Sequence, residues 1–190
     1  MAKQFRLALS PGFTRGRFAE LFSGLTEDKS IEVSYIENEK NAAGDPVITA
    51  ASLEDVDALI LGLEQFHPAS VPGNNALKLI ARFGVGYNTV DIPTATEHGV
   101  AVVTTPNGVR RPVATAVITF LLALTMKLLE KDRIPRQGAK GWRFAGTITG
   151  VGLVGRTLGV LGMGSIGAEV FRLAAPFGLK FMCDTMESYL

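Results

Sequence analysis

Residues 156–184 read RTLGVLGMGSIGAEVFRLAAPFGLKFMCD, and this stretch decides the fold of the C-terminal part of the chain. The apolar run RTLGVL predicts a strand, AEVFRLAAPF predicts a helix, and LKFMC predicts a second strand that ends in Asp184. Between the first strand and the helix, three glycines follow the spacing G-x-G-x-x-G. This order of elements is typical of a β-α-β unit that binds a dinucleotide: a strand, a glycine turn, a helix, a second strand and an acid at its end.

The glycines and the helix start of this unit have separate physical roles. Gly162 makes the tight turn out of the strand, Gly164 lets the backbone approach a pyrophosphate, and Gly167 lets the helix pack close to the sheet. The N–H groups near Ser165 and Ile166 open the helix and face the phosphates. The alternative is a packed strand–turn–helix that binds nothing, and the complete context favours the dinucleotide site.

The acid at the end of the second strand indicates which dinucleotide is bound. Asp184 lies 17 residues beyond Gly167, about where a carboxylate accepts hydrogen bonds from the adenine ribose hydroxyls. A simple turn or N-cap acid is the alternative reading of this residue. Residues 185–187 include no Arg or Lys that could hold a 2′-phosphate. The cofactor predicted here is therefore NAD rather than NADP.

Upstream, short apolar runs alternate with helical or loop stretches. The five predicted strands are Phe5–Ser10, Ile31–Ile36, Ala58–Leu63, Leu77–Phe83 and Val100–Thr104. Helices are predicted over residues 13–25 and 91–98, and Gly99 closes the second of them. Several of the strands are apolar on both faces, as in a parallel sheet covered by helices. The alternation predicts a doubly wound α/β unit over residues 1–104.

A long apolar helix is predicted over residues 112–131, with Pro112 in its first turn. Because it is apolar nearly all round, we expect it to be buried between domains or subunits. The 15 residues between Arg111 and Lys127 fall short of a membrane span, which needs about 20 apolar residues. A glycine-rich connection over residues 138–155 then leads to the dinucleotide unit.

Composition excludes several classes of function. Hydrophobic residues make up 47% and charged residues 19%, which indicates a globular protein. With 19 Lys and Arg against 18 Asp and Glu, no charge excess favours nucleic acid. One cysteine, Cys183, and two histidines predict neither an internal disulfide nor a metal site. The N-terminal residues show no signal peptide, so that we expect a cytoplasmic protein with no membrane partner.

Three blocks of the sequence resemble the D-isomer-specific 2-hydroxyacid dehydrogenases, the family of phosphoglycerate dehydrogenase, NAD-type formate dehydrogenase and glyoxylate reductase. They are LKLIARFGVGYNTVDIPTATEHGVAVVTTP, RRPVATAVITFLLAL and GRTLGVLGMGSIGAEVFRLAAPFGLKFMCD. The resemblance covers residues 50–184 closely. It implies an α/β protein with a flavodoxin-like substrate domain, residues 1–108. An incomplete Rossmann NAD-binding domain, residues 109–190, would follow, with the long helix at its start.

The same resemblance implies hydride transfer between NAD(H) and a small 2-hydroxy or 2-oxo acid, in a homodimer. It assigns Gly84, Val85 and Gly86 to the substrate, whose carboxylate would meet backbone N–H groups of this loop. The glycines suit a close approach of the backbone to a ligand. A plain glycine turn at a strand end is the alternative that the residues themselves leave open.

The catalytic Arg, Glu and His of the family would lie downstream of the ribose-binding acid, so that none is expected in this chain. His67 and His98 are expected in surface or capping roles, and Arg82 does not match the catalytic Arg motif. The resemblance therefore implies a C-terminally truncated dehydrogenase that is inactive alone. The alternative is a non-catalytic fragment that pairs with a full-length relative.

Overall fold

The computed structural model of the chain describes residues 4–14 and 16–184. The chain divides into two compact units, one ending at Pro106 and the other beginning at Asn107. The sequence predicts a boundary after residue 108, two residues further along. The two units are described separately below.

The first unit contains a five-stranded parallel sheet. Its strands are β1 (Phe5–Leu9), β2 (Ile31–Tyr35), β5 (Ala58–Leu61), β6 (Leu79–Arg82) and β7 (Ala101–Val103). A separate small hairpin is formed by β3 (Asn38–Lys40) and β4 (Pro46–Ile48). Its α-helices are α1 (Arg17–Glu27) and α2 (Ile92–Glu97). The strand order in the sheet is β2-β1-β5-β6-β7, with every pair parallel. This is the flavodoxin-like order, which confirms the predicted fold of the first unit.

Apolar side chains on both faces of the sheet explain why these strands form its centre. Successive residues of a strand point to opposite faces, and in β1 Ala8 joins one core cluster while Leu7 and Leu9 join the other. The first cluster also contains Ile48, Leu53, Leu59, Leu61, Phe66, Leu77 and Ile80. The second contains Phe13, Phe22 and Ala58. All five predicted parallel strands are found, each shorter than predicted by one to three residues.

Two secondary-structure elements of the first unit differ from the sequence predictions. The predicted helix over residues 13–25 is a 3-10 turn, Pro11–Thr14, followed by α1, because Gly16 has a φ of 58° and interrupts the helical path. The antiparallel hairpin β3–β4 is missed by the sequence, since its strands have three residues each. The Asn41 side chain accepts hydrogen bonds from the N–H groups of Ala43 and Asp45, which closes the hairpin turn.

The second unit contains four helices and a two-stranded parallel sheet in its described part. The elements are α3 (Pro106–Thr125), α4 (Leu128–Arg136), α5 (Gly138–Trp142), β8 (Thr157–Leu161), α6 (Ser165–Ala174) and β9 (Lys180–Asp184). β8 pairs with β9 in parallel, and α6 connects them. This is the first β-α-β of a Rossmann sheet, as predicted.

The predicted long helix, residues 112–131, is wrong at both ends. α3 begins at Pro106, so this proline, and not Pro112, occupies the first turn, while Pro112 lies inside the helix. The helix ends at Thr125 because Lys127 has left-handed backbone angles, and α4 begins after it. The sequence pattern continues across this break because α4 also starts with apolar residues.

In the single chain this helix is largely exposed, and its expected burial between domains or subunits stays a prediction. Among the residues of α3 only Ala114 is buried, and the side chains of Phe120 and Leu124 are largely exposed. The same helix is the one described helix that is long and apolar enough to cross a membrane by length and composition. The expectation based on the 15 residues between Arg111 and Lys127 used too short a segment. Arg110 and Arg111 lie inside the helix, and Arg111 pairs with Glu169 of α6 at 2.7 Å.

Candidate functional site

Polar side chains are buried at the carboxyl edge of the parallel sheet in the first unit. Ser10 follows β1, Glu64 lies three residues after β5, and Arg82 ends β6; each is more than nine-tenths buried. The Ser10 hydroxyl accepts a hydrogen bond from Gly62 N–H at 2.8 Å. Strand order reverses between β1 and β5, and ligands of open α/β sheets bind outside the carboxyl ends of strands at such a point.

Three side-chain atoms buried near this edge have no hydrogen-bond partner within the described part of the chain. They are Glu64 Oε2, Arg82 Nε and Thr89 Oγ1. Buried polar atoms are usually paired, and exceptions concentrate at functional sites. Sequence reasoning missed Glu64 and Thr89 and set Arg82 aside, because a single charged or hydroxyl residue outside a motif carries no pattern of its own.

The loop after β6 has a backbone that two neighbours hold in place. The Phe83 carbonyl accepts a hydrogen bond from Arg82 Nη1 at 2.6 Å. Gly84 N–H, in the same peptide, donates to Thr105 Oγ1 at 2.9 Å and to the Arg82 carbonyl at 2.9 Å. The Gly84 carbonyl accepts from Thr105 N–H at 2.8 Å. Gly84 has a φ of 144°, which a residue with a Cβ rarely adopts.

These contacts decide which N–H groups of the loop are available. In a trans peptide the C=O and the following N–H point in opposite directions. Because the Gly84 carbonyl faces Thr105, the N–H of Val85 points away from it. The N–H groups of Val85 and Gly86 have no acceptor among the described residues. Of the predicted substrate residues, Val85 and Gly86 thus offer donors, whereas the N–H of Gly84 is already used and this residue contributes its backbone conformation.

The glycine turn of the second unit has the geometry that a dinucleotide needs. Gly162 has a φ of 87°, and a Cβ at Gly167 would lie 2.5 Å from the Gly162 carbonyl oxygen. The helix therefore packs against the turn as closely as a glycine permits. A Cβ at Gly164 would meet no atom within 4 Å, which leaves open space beside this backbone.

The start of α6 and the end of β9 lie beside this turn. No side chain caps α6, so the first-turn N–H groups of Ser165, Ile166 and Gly167 are available to an anion. Asp184 is the register partner of Leu161, and its carbonyl accepts a hydrogen bond from Gly162 N–H at 2.8 Å. The structure therefore brings all six predicted cofactor residues together. Residues 185–187, on which the preference for NAD over NADP rests, lie outside the described residues.

Both histidines have capping roles, as expected. His67 Nδ1 accepts a hydrogen bond from Ala69 N–H at a 3-10 turn. His98 ends α2, with Nδ1 2.9 Å from the Thr94 carbonyl oxygen. In the described part of the chain, no group of three or more His, Cys, Asp or Glu side chains could hold a metal ion.

Comparison with known proteins gives a consistent family assignment. The family model described as D-isomer specific 2-hydroxyacid dehydrogenase, catalytic domain, matches residues 19–175. Glyoxylate reductase of Korarchaeum cryptofilum (strain OPF8) is 34% identical over 134 residues, which cover 68% of this chain and 40% of that protein. The TT0316 protein from Thermus thermophilus has a TM-score of 0.75 at 24% identity, covering 95% of this chain and 56% of that one. NAD-dependent formate dehydrogenase from Staphylococcus aureus, in complex with NAD, has a TM-score of 0.70 at 21% identity, with coverage of 95% and 56%.

Fold and site together define an α/β protein with a flavodoxin-like unit and the start of a Rossmann unit. The match over residues 19–175, which is most of the chain, shows the family. The chain belongs to the D-isomer specific 2-hydroxyacid dehydrogenase family, as its three sequence blocks predict. It spans about half the length, or less, of the relatives that it matches.

Proposed function

We propose that this chain contributes the substrate loop and the dinucleotide turn of an NAD-dependent dehydrogenase that interconverts a small 2-oxo acid and the corresponding 2-hydroxy acid. The observation that carries the proposal is the pair of unbonded N–H groups at Val85 and Gly86, in a family member with an intact dinucleotide turn. Reduction of the 2-oxo acid places a hydride, which bound NADH would supply, on the carbonyl carbon and a proton on the carbonyl oxygen.

The substrate carboxylate is assigned to the loop after β6. Two adjacent backbone donors suit a carboxylate, which accepts charge-assisted hydrogen bonds from N–H groups. Val85 and Gly86 are both exposed, so that a small acid can reach them. The glyoxylate reductase among the relatives supports a substrate with few carbon atoms.

NAD is assigned to the turn at residues 162–167. The N–H groups that open α6 would hold its pyrophosphate, and the Asp184 carboxylate would accept hydrogen bonds from the adenine ribose. The close contact of Gly167 with the Gly162 carbonyl and the open space beside Gly164 support this fit. The cofactor supplies the hydride when it is bound. The NAD complex of the Staphylococcus aureus enzyme supports this choice of cofactor.

The 190-residue chain by itself is assigned to binding and not to turnover. The reaction needs a proton donor at the carbonyl oxygen, and both histidines of the chain lie in caps. When the chain is mixed with NADH and with glyoxylate, hydroxypyruvate or pyruvate, the absorbance of NADH should stay unchanged. A steady loss of that absorbance above a no-protein control would contradict this part of the proposal.

Substrate binding is tested by nuclear magnetic resonance on the ¹⁵N-labelled chain. Hydroxypyruvate should shift the amide signals of Val85 and Gly86. Hydroxyacetone is the matched control, since it keeps the carbonyl and hydroxyl groups but has a methyl group in place of the carboxylate. If both compounds shift these amides equally, or neither does, the carboxylate assignment is wrong.

Pairing with a second chain is a further candidate function. Within the described residues β8 bonds only to β9, and the exposed side chains of Leu161, Met182, Phe120 and Leu124 leave apolar surface uncovered. An open strand edge favours pairing with another strand. The molar mass measured by light scattering should correspond to a homodimer, or to a complex of the chain with a full-length relative. We expect such a relative in the cytoplasm. A monomer that stays separate from such a relative would contradict this candidate.

A further inference from the structure

The loop that we assign to the substrate carboxylate is held by two side chains that no pattern in the sequence identifies. Arg82 lies beneath it: a Cβ at Gly84 would be 3.3 Å from Arg82 Nη1. Thr105, just after β7, lies on its other side and is exposed. Both side chains form hydrogen bonds with the backbone of the loop.

We propose that Arg82 and Thr105 are positioning residues that fix the loop with the N–H groups of Val85 and Gly86 turned outward for an α-carboxylate. The inference rests on the proposed function, because it gives that loop a ligand. It assigns neither residue a direct contact with the substrate.

The first step of the argument concerns the peptide between Phe83 and Gly84. Arg82 Nη1 holds its carbonyl oxygen and Thr105 Oγ1 accepts from its N–H, so both ends of one rigid plane are bound. The bond from the guanidinium is charge-assisted and short, at 2.6 Å. Rotation of this peptide would break both contacts at once.

The second step concerns the next peptide, between Gly84 and Val85. Its carbonyl accepts from Thr105 N–H at 2.8 Å and faces the Thr105 hydroxyl at 3.3 Å. The Val85 N–H must then point the opposite way. The reversal between the two peptides depends on the φ of 144° at Gly84, which explains why a glycine stands there.

The third step concerns the free-energy cost of burying the Arg82 guanidinium. Arg82 is 8% exposed, and its Nε lacks a hydrogen-bond partner in the described part of the chain. Burying a guanidinium with an unused donor is unfavourable, so a structural role alone is better filled by an apolar residue. A role in presenting the loop gives the buried charge a function that an apolar residue lacks.

The test uses Thr105→Val, which keeps the shape of the side chain and removes its hydroxyl. Because Thr105 is exposed, this variant should fold. We expect hydroxypyruvate to bind about fivefold more weakly, as for the loss of one neutral hydrogen bond. Thr105→Ser should bind as wild type does. The Gly84 amide should exchange with solvent faster in Thr105→Val and normally in Thr105→Ser.

A second pair of variants tests Arg82. Arg82→Met keeps the buried stem and should weaken hydroxypyruvate binding by about tenfold or more. Arg82→Lys keeps a charged donor and should recover part of the affinity. The amide signals of the first unit outside this loop should keep their wild-type positions in every variant, whereas unfolding of that unit would move them. ADP-ribose binding at the glycine turn, in the second unit, should also be unchanged.

The outcomes separate this inference from the proposed function. Unchanged hydroxypyruvate affinity in Thr105→Val, with wild-type shifts at Val85 and Gly86, would overturn the positioning role and leave the carboxylate loop in place. Equal losses in Thr105→Val and Thr105→Ser would also overturn it. If the wild-type amides do not respond to hydroxypyruvate, the proposed function and this inference both fail.

Discussion

Gly167 shows how one residue connects packing with the nucleotide site. A Cβ there would lie 2.5 Å from the Gly162 carbonyl oxygen, so Gly167→Ala must push α6 away from the turn. We expect the variant to lose about 1–3 kcal/mol of unfolding free energy, as overpacked sites do. Urea denaturation measures this change. Gly159→Ala is the control, because a Cβ at Gly159 in β8 meets nothing within 4 Å. Equal losses in both variants would contradict the account.

Asp91 makes stability depend on pH. Its carboxylate accepts a hydrogen bond from Thr94 N–H at 2.8 Å at the start of α2, and this bond lowers the pKa of Asp91 below its ordinary value of 3.8. A lowered pKa in the folded state adds stability above that value and loses it as the pH falls. Asp91→Asn, which keeps a capping oxygen, does not titrate.

The difference in Tm between wild type and Asp91→Asn should therefore have its full value at about pH 5, where the Asp91 carboxylate is ionised. Below about pH 4 it should shrink, because the carboxylate becomes protonated. Melting curves followed by circular dichroism measure it. If the difference in Tm instead grew as the pH fell below about 5, the predicted direction of the pH dependence would be wrong.

At the scale of residues, the sequence predicts the glycine turn well and the sheet edge poorly. The turn is a local pattern, in which each glycine has a fixed place between a strand and a helix. Arg82 and Thr105 are brought to the same loop by the pairing of β6 and β7, and nothing in their spacing indicates this. The use of the Gly84 N–H by Thr105 is likewise visible only in the fold.

At the scale of elements, one acid ties α3 to α6. The Glu169 carboxylate accepts hydrogen bonds from Arg111 Nη1 at 2.7 Å and from two nitrogens of Arg172, and its side chain is 11% exposed. Because the arginines are largely exposed, solvent weakens each pair. Glu169→Gln should lower the unfolding free energy by about 1 kcal/mol.

Urea denaturation of Glu169→Gln and of Glu130→Gln provides the comparison. Glu130 is exposed in the first turn of α4 and forms no ion pair within the described residues, so its variant should lose only the smaller attraction between its charge and the helix N-terminus. A neutral Glu169→Gln would show that the ion pair with Arg111 adds nothing to the stability of the chain.

Strands are easier to predict than helices in this chain for a physical reason. A buried parallel strand is apolar on both faces, and its short run is bounded by turn residues, so all five are recognised from sequence. The run from Pro106 to Arg136 is different, because its break at Lys127 depends on backbone angles and not on residue type. Its apolar surface also indicates burial that the single chain does not provide.

At the scale of the whole molecule, the chain combines two units, to each of which we assign a binding role. The first presents two free N–H groups at a strand end, and the second presents the N-terminus of a helix beside a glycine turn. The chain covers 40% of the Korarchaeum relative and 56% of the Thermus one. Its own contribution to the activity is therefore best measured as binding.

Titration of the ¹⁵N-labelled chain with ADP-ribose tests the central claim, that the turn at residues 162–167 holds the adenosine diphosphate half of NAD. The account predicts saturable shifts of the Ser165, Ile166 and Gly167 amides. Gly164→Ala, whose Cβ would meet nothing in the free chain, should fold normally and bind much more weakly. If these amides do not respond, or if Gly164→Ala binds as wild type does, the assignment of the turn to the cofactor is wrong.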